Sequence, residues 1–283
     1  MADYLVTGKK GNGKSLVCVG RIQDALRAGK KVATNLDITL EKLLPASSRA
    51  TLVRVPDRLR RVDLELIGRG QPGIEEEKNG LLVLDECASW LNAREYRDSD
   101  RAGFLDWLVH SRKLGWDVYF IAQDQSMVDK QLRTGLVEFL VGCKRLDRLR
   151  VPFLTGFVSM ITGGVVKIRP PKVHVALVKY GLGFNDPVSD RWWYRGRDLY
   201  DAYNTEQVFC EDYPHGVHSL LSPWHLVGRY HRRFSLRAWL RDLWECPPRP
   251  RVGKPAARLS PLLRLPSDLR WRAARRLVMK TAP

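Results

Sequence analysis

The sequence predicts an α/β protein in which a mostly parallel sheet is flanked by helices, and three observations carry this prediction. Short apolar runs alternate with helical patterns up to about residue 145, which is typical of parallel strands joined by crossover helices. A glycine-rich segment at 8–15 separates a predicted strand from a predicted helix, and an apolar run at 81–84 ends in two acids. The 283 residues are 44% hydrophobic and 28% charged, which excludes disorder and collagen-like structure for most of the chain.

The elements follow in chain order from hydrophobic spacing and from the glycines that end each run. The helix predicted at 14–28 places Leu16, Val19 and Ile22 on one face and ends at Gly29. The segment 58–80 is charged and contains several glycines, so we expect a short helix and a surface loop there. A second long helix is predicted at 100–114, with Phe104, Leu105, Leu108 and Val109 on one side. Strands are predicted at 4–6, 31–33, 51–55, 81–84, 116–122 and 136–141.

Beyond the core, assigned to residues 1–150, the pattern changes twice. A small β-rich appendage is predicted over 151–212, with hairpin strands at 151–166 and 167–180 and a turn at 181–187. Residues 213–283 form a proline-rich tail with 15 Lys and Arg against 3 Asp and Glu, and so concentrated a positive charge attracts nucleic acid or anionic lipid. Two amphipathic helices are predicted in the tail, at 234–245 and 268–280. Such helices lie in a membrane interface, dock on a partner or pack on their own core.

Compartment signals point to the cytoplasm. The five cysteines are scattered without a CxxC pair, so we expect reduced thiols. The first 15 residues lack the apolar core and cleavage site of a signal peptide. Uncharged stretches reach 16 residues, and because a spanning helix needs roughly 20 apolar residues, no transmembrane segment is predicted.

The glycine-rich segment is the strongest motif in the chain. It fits the phosphate-loop pattern G-x-x-x-x-G-K-[ST] in the required context between strand and helix. Backbone N–H groups and the helix N-terminus would surround a β-phosphate, Lys14 would reach the β- and γ-phosphates, and the Ser15 hydroxyl would ligate Mg²⁺. A chance glycine-rich turn before a helix is the alternative. The predicted nucleotide-binding residues are Gly8, Lys9, Lys10, Gly11, Asn12, Gly13, Lys14 and Ser15.

Two acids at the end of the strand at 81–84 complete the predicted chemistry. Ligands of open α/β sheets bind at the carboxyl ends of the strands, where Asp85 would hold Mg²⁺ together with Ser15. Glu86 is placed to orient and deprotonate an attacking water, which distinguishes a hydrolase from a nucleotide binder. The alternative is an acid pair that caps a helix.

Other candidates for the site are less specific. Gln123 follows the strand at 116–122 and could sense the γ-phosphate or the water, or it could be a loop glutamine without a role. Arg112, Arg133 and Arg145 are candidate arginine fingers, and we assign Arg112 to the catalytic set. Arginines at the surface are usually solvated, which is the alternative for each of them.

Taken together, these motifs resemble the zonular occludens toxin family, whose members include assembly ATPases of filamentous phages. The resemblance covers about residues 1–212. It is specific because the phosphate loop is combined with a Tyr-x-x-Tyr-Asn-Thr segment that most NTPases lack. The matching residues are the phosphate loop, Val32–Asn35, Leu84–Glu86, His110–Arg112, Gly115–Val118, Gln123, Trp193–Gly196 and Tyr200–Thr205.

The resemblance implies a P-loop ATPase of the additional-strand type, with ATP and Mg²⁺ as cofactors. It also implies that hydrolysis drives extrusion of single-stranded phage DNA through a coat-protein channel at the host inner membrane. The implied partners are coat protein, single-stranded DNA, the inner membrane surface or a membrane partner, and further copies of the chain. The protein would then be in the host cytoplasm, peripheral to or associated with the inner membrane. Family members usually have a membrane span after the ATPase domain, where this chain has the basic tail.

Three alternative functions remain open. A cytosolic DNA-translocating or packaging ATPase would grip DNA phosphates with the basic tail. A small-molecule kinase is disfavoured because no arginine-rich lid precedes residue 145 and Glu86 suits water activation. A nucleotide-dependent scaffold without enzymatic activity would bind ATP and turn it over negligibly, which the intact Glu86 argues against.

Overall fold

The computed structural model describes residues 2–73, 75–89, 99–146, 172–183, 185–210 and 213–230. These residues belong to one compact unit, Met1–His231, and Arg232–Pro283 make up a second unit. The strand predicted at 151–166 and the tail helices predicted at 234–245 and 268–280 lie outside the described residues.

In the described part of the chain, nine strands form one sheet in the order β8-β7-β6-β1-β5-β4-β2-β3-β9. The first six strands are parallel to one another wherever they pair. The last three join by antiparallel pairing, β7 to β6, β8 to β7 and β9 to β3. The strands are β1 Asp3–Thr7, β2 Val32–Thr34, β3 Leu52–Arg54, β4 Gly80–Leu84, β5 Trp116–Ile121, β6 Phe139–Arg145, β7 Val173–Tyr180, β8 Val188–Arg195 and β9 His218–Leu220.

Helices cover both faces of the sheet because alternate residues of its central strands are apolar on both sides. In β4, Leu81 and Val83 pack with α1, whereas Leu82 and Leu84 pack on the opposite face with α4. All four are 5% exposed or less, as expected for a parallel strand buried between helices. The helices are α1 Lys14–Arg27, α2 Leu40–Leu43, α3 Arg61–Ile67, α4 Ser99–His110, α5 Lys130–Gly135 and α6 Pro223–Leu226.

The strand order confirms the predicted α/β class and its additional-strand type. β1 leads into the glycine-rich segment and β4 leads into Asp85, and β5 is inserted between these two strands. The carboxyl ends of β1, β5 and β4 therefore meet at one edge of the sheet, and all three predicted site segments emerge there.

Two boundaries within the core differ from the sequence prediction. α4 ends at His110 rather than at residue 114, and Val109 is 60% exposed while Trp107 is buried. At 100° per residue Val109 lies well off the face set by Phe104 and Leu108. β6 begins at Phe139 rather than at residue 136, because the N–H groups of residues 136 and 137 bond to the carbonyl of Leu132 at the end of α5.

The strands described after residue 150 are built into the same sheet as the core. β7 and β8 supply the β-rich character predicted beyond residue 150, and they continue the edge formed by β6. Residues 213–230, assigned from sequence to the tail, contain β9 and α6, and β9 pairs with β3. The local sequence shows prolines and histidines there, and the partner strand lies more than 160 residues earlier, so the pairing has no local signal.

Candidate nucleotide-binding site

The glycine-rich segment connects β1 to α1 with the backbone geometry of a phosphate loop. Gly8, Gly11 and Gly13 have φ of 151°, 75° and 84°, and glycine adopts such values without steric cost. Gly13 precedes the first turn of α1. A Cβ at this position would lie 1.9 Å from Nδ1 of His174. The glycine is therefore required by both conformation and space.

Neighbouring strands hold the loop at three points. Asn12 Nδ2 donates to the carbonyl of Cys143 in β6 (3.2 Å). The N–H of Gly8 donates to the carbonyl of Gln123 after β5 (3.4 Å). At the end of β6, Arg145 Nη1 donates to the carbonyl of Gly11 (3.3 Å).

The side chain of Lys14, at the start of α1, folds back over the phosphate loop. Its Nζ donates to the carbonyl of Gly8 at 3.0 Å, which keeps the ammonium group over the glycines. Lys9 and Lys10 are exposed. The arrangement concentrates positive charge where the backbone geometry favours a phosphate.

Ser15 and Asp85 provide the oxygen atoms that a divalent cation needs. The Ser15 hydroxyl donates to Asp85 Oδ2 at 2.6 Å. Burial raises the pKa of Asp85, while the bonds from Ser15 and from the N–H of Glu86 lower it. A hydroxyl and a buried carboxylate beside a phosphate loop fit Mg²⁺, which prefers oxygen ligands and the oxygens of its substrate phosphates. The structure thus brings the two predicted metal ligands together.

Glu86 follows Asp85 in a left-handed conformation, with φ of 53°. Its N–H donates to Asp85 Oδ1 at 2.7 Å, and the residue is exposed at the edge of the sheet. Because the chain turns sharply here, the side chains of the two acids point in different directions. Asp85 contacts Ser15, and Glu86 lines the open cavity.

One cavity of about 430 Å³ joins these groups. Gln123 enters it from the end of β5, between the loop and the two acids, as predicted. The other residues that line this cavity include Lys10, Gly11, Lys14, Ser15, Asp85, Glu86, Ala88, Met127 and Thr205.

Of the three arginine candidates, the structure places Arg145 against the phosphate loop. Arg133 donates to the carbonyl of Gln125 at 3.1 Å. Arg112 does not join the site of its own chain, because it precedes β5 and lies at the opposite edge of the sheet, roughly 20 Å away along a six-residue strand. There its side chain is 71% exposed, and its guanidinium pairs with Glu76 at 3.2 Å.

Asn35 is a site residue that the sequence analysis did not assign. It follows β2, is fully buried, and brackets the main chain of Asp85. Its Oδ1 accepts from the N–H of Asp85 at 2.7 Å, and its Nδ2 donates to the carbonyl of Asp85 at 3.0 Å. A polar residue directly after a short apolar strand was the available signal, since such positions meet at the carboxyl edge of a parallel sheet.

His174 is a second residue that was missed. It lies in β7, is 2% exposed, and its Nδ1 contacts the carbonyl of Asn12 at 3.3 Å. The sequence offers no signal for this contact, because 162 residues separate the partners.

The family model described as zonular occludens toxin (Zot) matches residues 2–182. The chain is 48% identical over 239 residues to the gene 1 protein of Enterobacteria phage M13, covering 83% of this chain and 68% of that protein. The gene 1 protein of Salmonella phage IKe is 44% identical over 236 residues, covering 78% of this chain and 64% of that protein. The chain thus spans about two thirds of the length of these relatives.

Similar solved structures include the N-terminal domain of zonular occludens toxin from Neisseria meningitidis. It is 22% identical with a TM-score of 0.41, and the match covers 72% of this chain and 98% of that one. The genome packaging NTPase B204 from Sulfolobus turreted icosahedral virus 2, in complex with ATP-gammaS, is 12% identical with a TM-score of 0.36. That match covers 63% of this chain and 92% of B204.

Proposed function

The chain belongs to the zonular occludens toxin family, and we propose that it is the ATPase that powers assembly and extrusion of a filamentous phage. In this proposal, ATP hydrolysis is coupled to export of single-stranded DNA with coat protein at the host inner membrane. The observation that carries the enzymatic part is the 2.6 Å bond between Ser15 and Asp85, with Glu86 beside it on the wall of the same cavity.

Each residue has a defined task in the proposed reaction. Lys14 and the loop N–H groups bind the β- and γ-phosphates, and Ser15 and Asp85 hold Mg²⁺, which supplies positive charge to the phosphate oxygens. Glu86 orients the attacking water and accepts its proton, a role that contributes roughly 10²–10⁴ in rate. Gln123 holds the loop through its carbonyl and brings its amide to the cavity between loop and acids.

The polyanion partner is proposed from the distribution of charge. Residues 232–283 carry 14 Lys and Arg against 3 Asp and Glu, a net charge of +11. Phosphate contacts to DNA and contacts to anionic headgroups both use such a surplus. Among the helices that the structure describes, none has the length and apolar character needed to cross a membrane. We propose that this segment contacts anionic lipid at the membrane surface through its Lys and Arg side chains.

Phosphate release from ATP tests the proposal when it is measured with the purified chain alone, with single-stranded DNA, and with anionic vesicles. We expect Mg²⁺-dependent hydrolysis, stimulation by DNA, and recruitment to the vesicles. Stimulation by DNA without recruitment would support a cytosolic packaging ATPase instead. Turnover no faster than that of Lys14→Ala would support a nucleotide-dependent scaffold.

A further inference from the structure

The Tyr-x-x-Tyr-Asn-Thr segment at 200–205, which is among the residues of the family resemblance, has no task in the proposed reaction. It lies beside both halves of the nucleotide site. We propose that residues 200–207, called here the bracing segment, position the phosphate loop through Tyr200 and His174, and position Asp85 through Gln207 and Asn35. The inference rests on the proposed function in one respect, that a nucleotide with Mg²⁺ occupies this site.

Tyr200 reaches the phosphate loop through one buried histidine. The Tyr200 hydroxyl lies 3.1 Å from His174 Nε2, and His174 Nδ1 lies 3.3 Å from the carbonyl of Asn12. A carbonyl only accepts, so Nδ1 carries the proton of the ring and donates to Asn12. In the neutral ring Nε2 is then an acceptor, and the Tyr200 hydroxyl donates to it.

The His174 and Tyr200 rings are closely packed between two glycines, Gly13 and Gly196. A Cβ at Gly13 would lie 1.9 Å from the His174 ring, and a Cβ at Gly196 would lie 2.6 Å from the ring and hydroxyl of Tyr200. Glycine at both ends lets the two rings fill the space between the phosphate loop and the turn after β8. A shift of Tyr200 is therefore transmitted to the loop, because close-packed groups do not deform independently.

Gln207 reaches Asp85 through Asn35. Its Nε2 donates to the carbonyl of Asn35 at 2.8 Å, and its Oε1 accepts from the N–H of Asp37 at 2.9 Å. The carboxamide thus makes one donor bond and one acceptor bond to the backbone after β2, as the backbone of a neighbouring strand would. Asn35 in turn makes the two bonds to the main chain of Asp85. Gln207 is therefore connected to Asp85, the proposed metal ligand, through one intermediate residue.

The bracing segment is itself fixed between these two ends. The N–H of Thr39 donates to the carbonyl of Ala202 at 2.8 Å, and the N–H of Asn204 donates to the carbonyl of Asp37 at 3.1 Å. Thr205, the residue after Asn204, lines the cavity beside the phosphate loop. One short stretch of chain therefore sets the spacing between the phosphate loop and the metal ligand.

Two substitutions test the contacts of Tyr200 and of Gln207 separately. Tyr200→Phe keeps the ring that packs between the glycines and removes the hydroxyl. Gln207→Met keeps the length of the side chain and removes both hydrogen bonds. Tyr180→Phe and Gln131→Met are matched controls, since both residues are exposed and lie outside the bracing segment.

The measurement is calorimetric binding of the non-hydrolysable analogue adenosine 5′-(β,γ-imido)triphosphate to the full chain, with and without Mg²⁺. Tyr200→Phe should weaken binding about threefold to tenfold in both conditions, the range expected for one hydrogen bond, because the phosphate loop acts without the metal. Gln207→Met should leave binding without Mg²⁺ within about twofold. It should raise the Mg²⁺ concentration required for tight binding about threefold to tenfold.

Binding by both variants that matches the controls would overturn the inference while leaving the proposed function intact. Equal losses with and without Mg²⁺ in Gln207→Met, together with a lower melting temperature, would overturn it in favour of a general role in folding. A wild-type chain that does not bind the analogue would overturn the proposed function itself.

Discussion

Glu86 combines a strained backbone with the role of general base in the proposed reaction. Its left-handed φ of 53° costs a non-glycine residue roughly 1–2 kcal/mol. The strain is held by its bond to Asp85 Oδ1 and by the two bonds that Asn35 makes to Asp85. It turns the chain at the point where, in the proposed reaction, one acid faces the metal and the next faces the water.

Replacement of Gly13 by Ala tests the fit of the phosphate loop. Gly13→Ala combines a left-handed φ with a collision against His174, whereas Gly29→Ala has a similar φ of 75° and open space around the added carbon. We expect Gly29→Ala to cost about 1 kcal/mol and Gly13→Ala to cost roughly 2–4 kcal/mol in the free energy of unfolding. Urea unfolding of both variants measures the difference. Equal losses would mean that His174 yields to the new methyl group.

At the level of elements, the insertion of β5 between β1 and β4 creates the cavity. It delivers Gln123 between the phosphate loop and the two acids, and it gives Gly8 a carbonyl partner. A direct β1–β4 pair would bring the loop and the acids one strand closer, about 4.8 Å. In the proposed reaction, the added strand therefore makes room for a γ-phosphate and a water.

The elements were predictable where their cause is local. The run at 81–84 is apolar on both faces, and the spacing of Leu16, Val19 and Ile22 ends at a glycine; both were confirmed as β4 and α1 to within one residue. The end of α4 and the start of β6 were wrong because capping bonds and side-chain direction, rather than composition, set them. The additional strand followed from the family resemblance, since strand order is not encoded in any single run.

The start of β1 gives a prediction for pH. Burial, together with the charges of Glu138 and Asp117, raises the pKa of Asp3 to about 7, despite a backbone bond from Val118 that lowers it. Oδ1 of Asp3 has no hydrogen-bond partner in the described part of the chain. The folded state therefore holds a proton that the unfolded state releases near pH 4.

Stability should accordingly fall as pH rises from about 4 to about 7 and then level off. Asp3→Asn, which stays neutral, should match the wild type near pH 4 and be more stable at pH 8, on the order of 3 kcal/mol. Thermal or urea unfolding at the two pH values measures this. An Asn variant that is less stable at pH 8 would show that the carboxylate is ionised and paired in the folded protein.

Across the whole molecule, the contacts that sequence analysis missed are those between distant segments. His174 meets Asn12 across 162 residues, and Gln207 meets Asn35 across 172. No local periodicity encodes such pairs, and a histidine in an apolar strand resembles any other buried polar residue. The phosphate loop, Asp85 and Glu86 were predictable because their chemistry imposes a fixed spacing on adjacent residues.

The next prediction concerns residues 232–283, the part of the predicted tail that follows β9 and α6. Removing 232–283 should leave β9 and α6 in place, lower the net charge by 11, and greatly weaken binding to single-stranded DNA and to anionic vesicles. Basal hydrolysis should stay within about twofold, because the site residues all precede residue 210. Binding by the full chain should weaken steeply with salt. DNA and vesicle binding that survives the truncation would place the polyanion site in the first unit.

The most direct test of the central claim is turnover and nucleotide binding by Glu86→Gln, compared with Lys14→Ala and with Glu77→Gln, an exposed control in the 3-10 helix before β4. Glu86→Gln should bind ATP like the wild type and hydrolyse it about a hundredfold more slowly or worse, because it keeps the phosphate contacts and loses the general base. Lys14→Ala should lose nucleotide binding, and the control should match the wild type. Full turnover by Glu86→Gln, or unchanged ATP affinity in Lys14→Ala, would contradict the account of this site as that of a hydrolase.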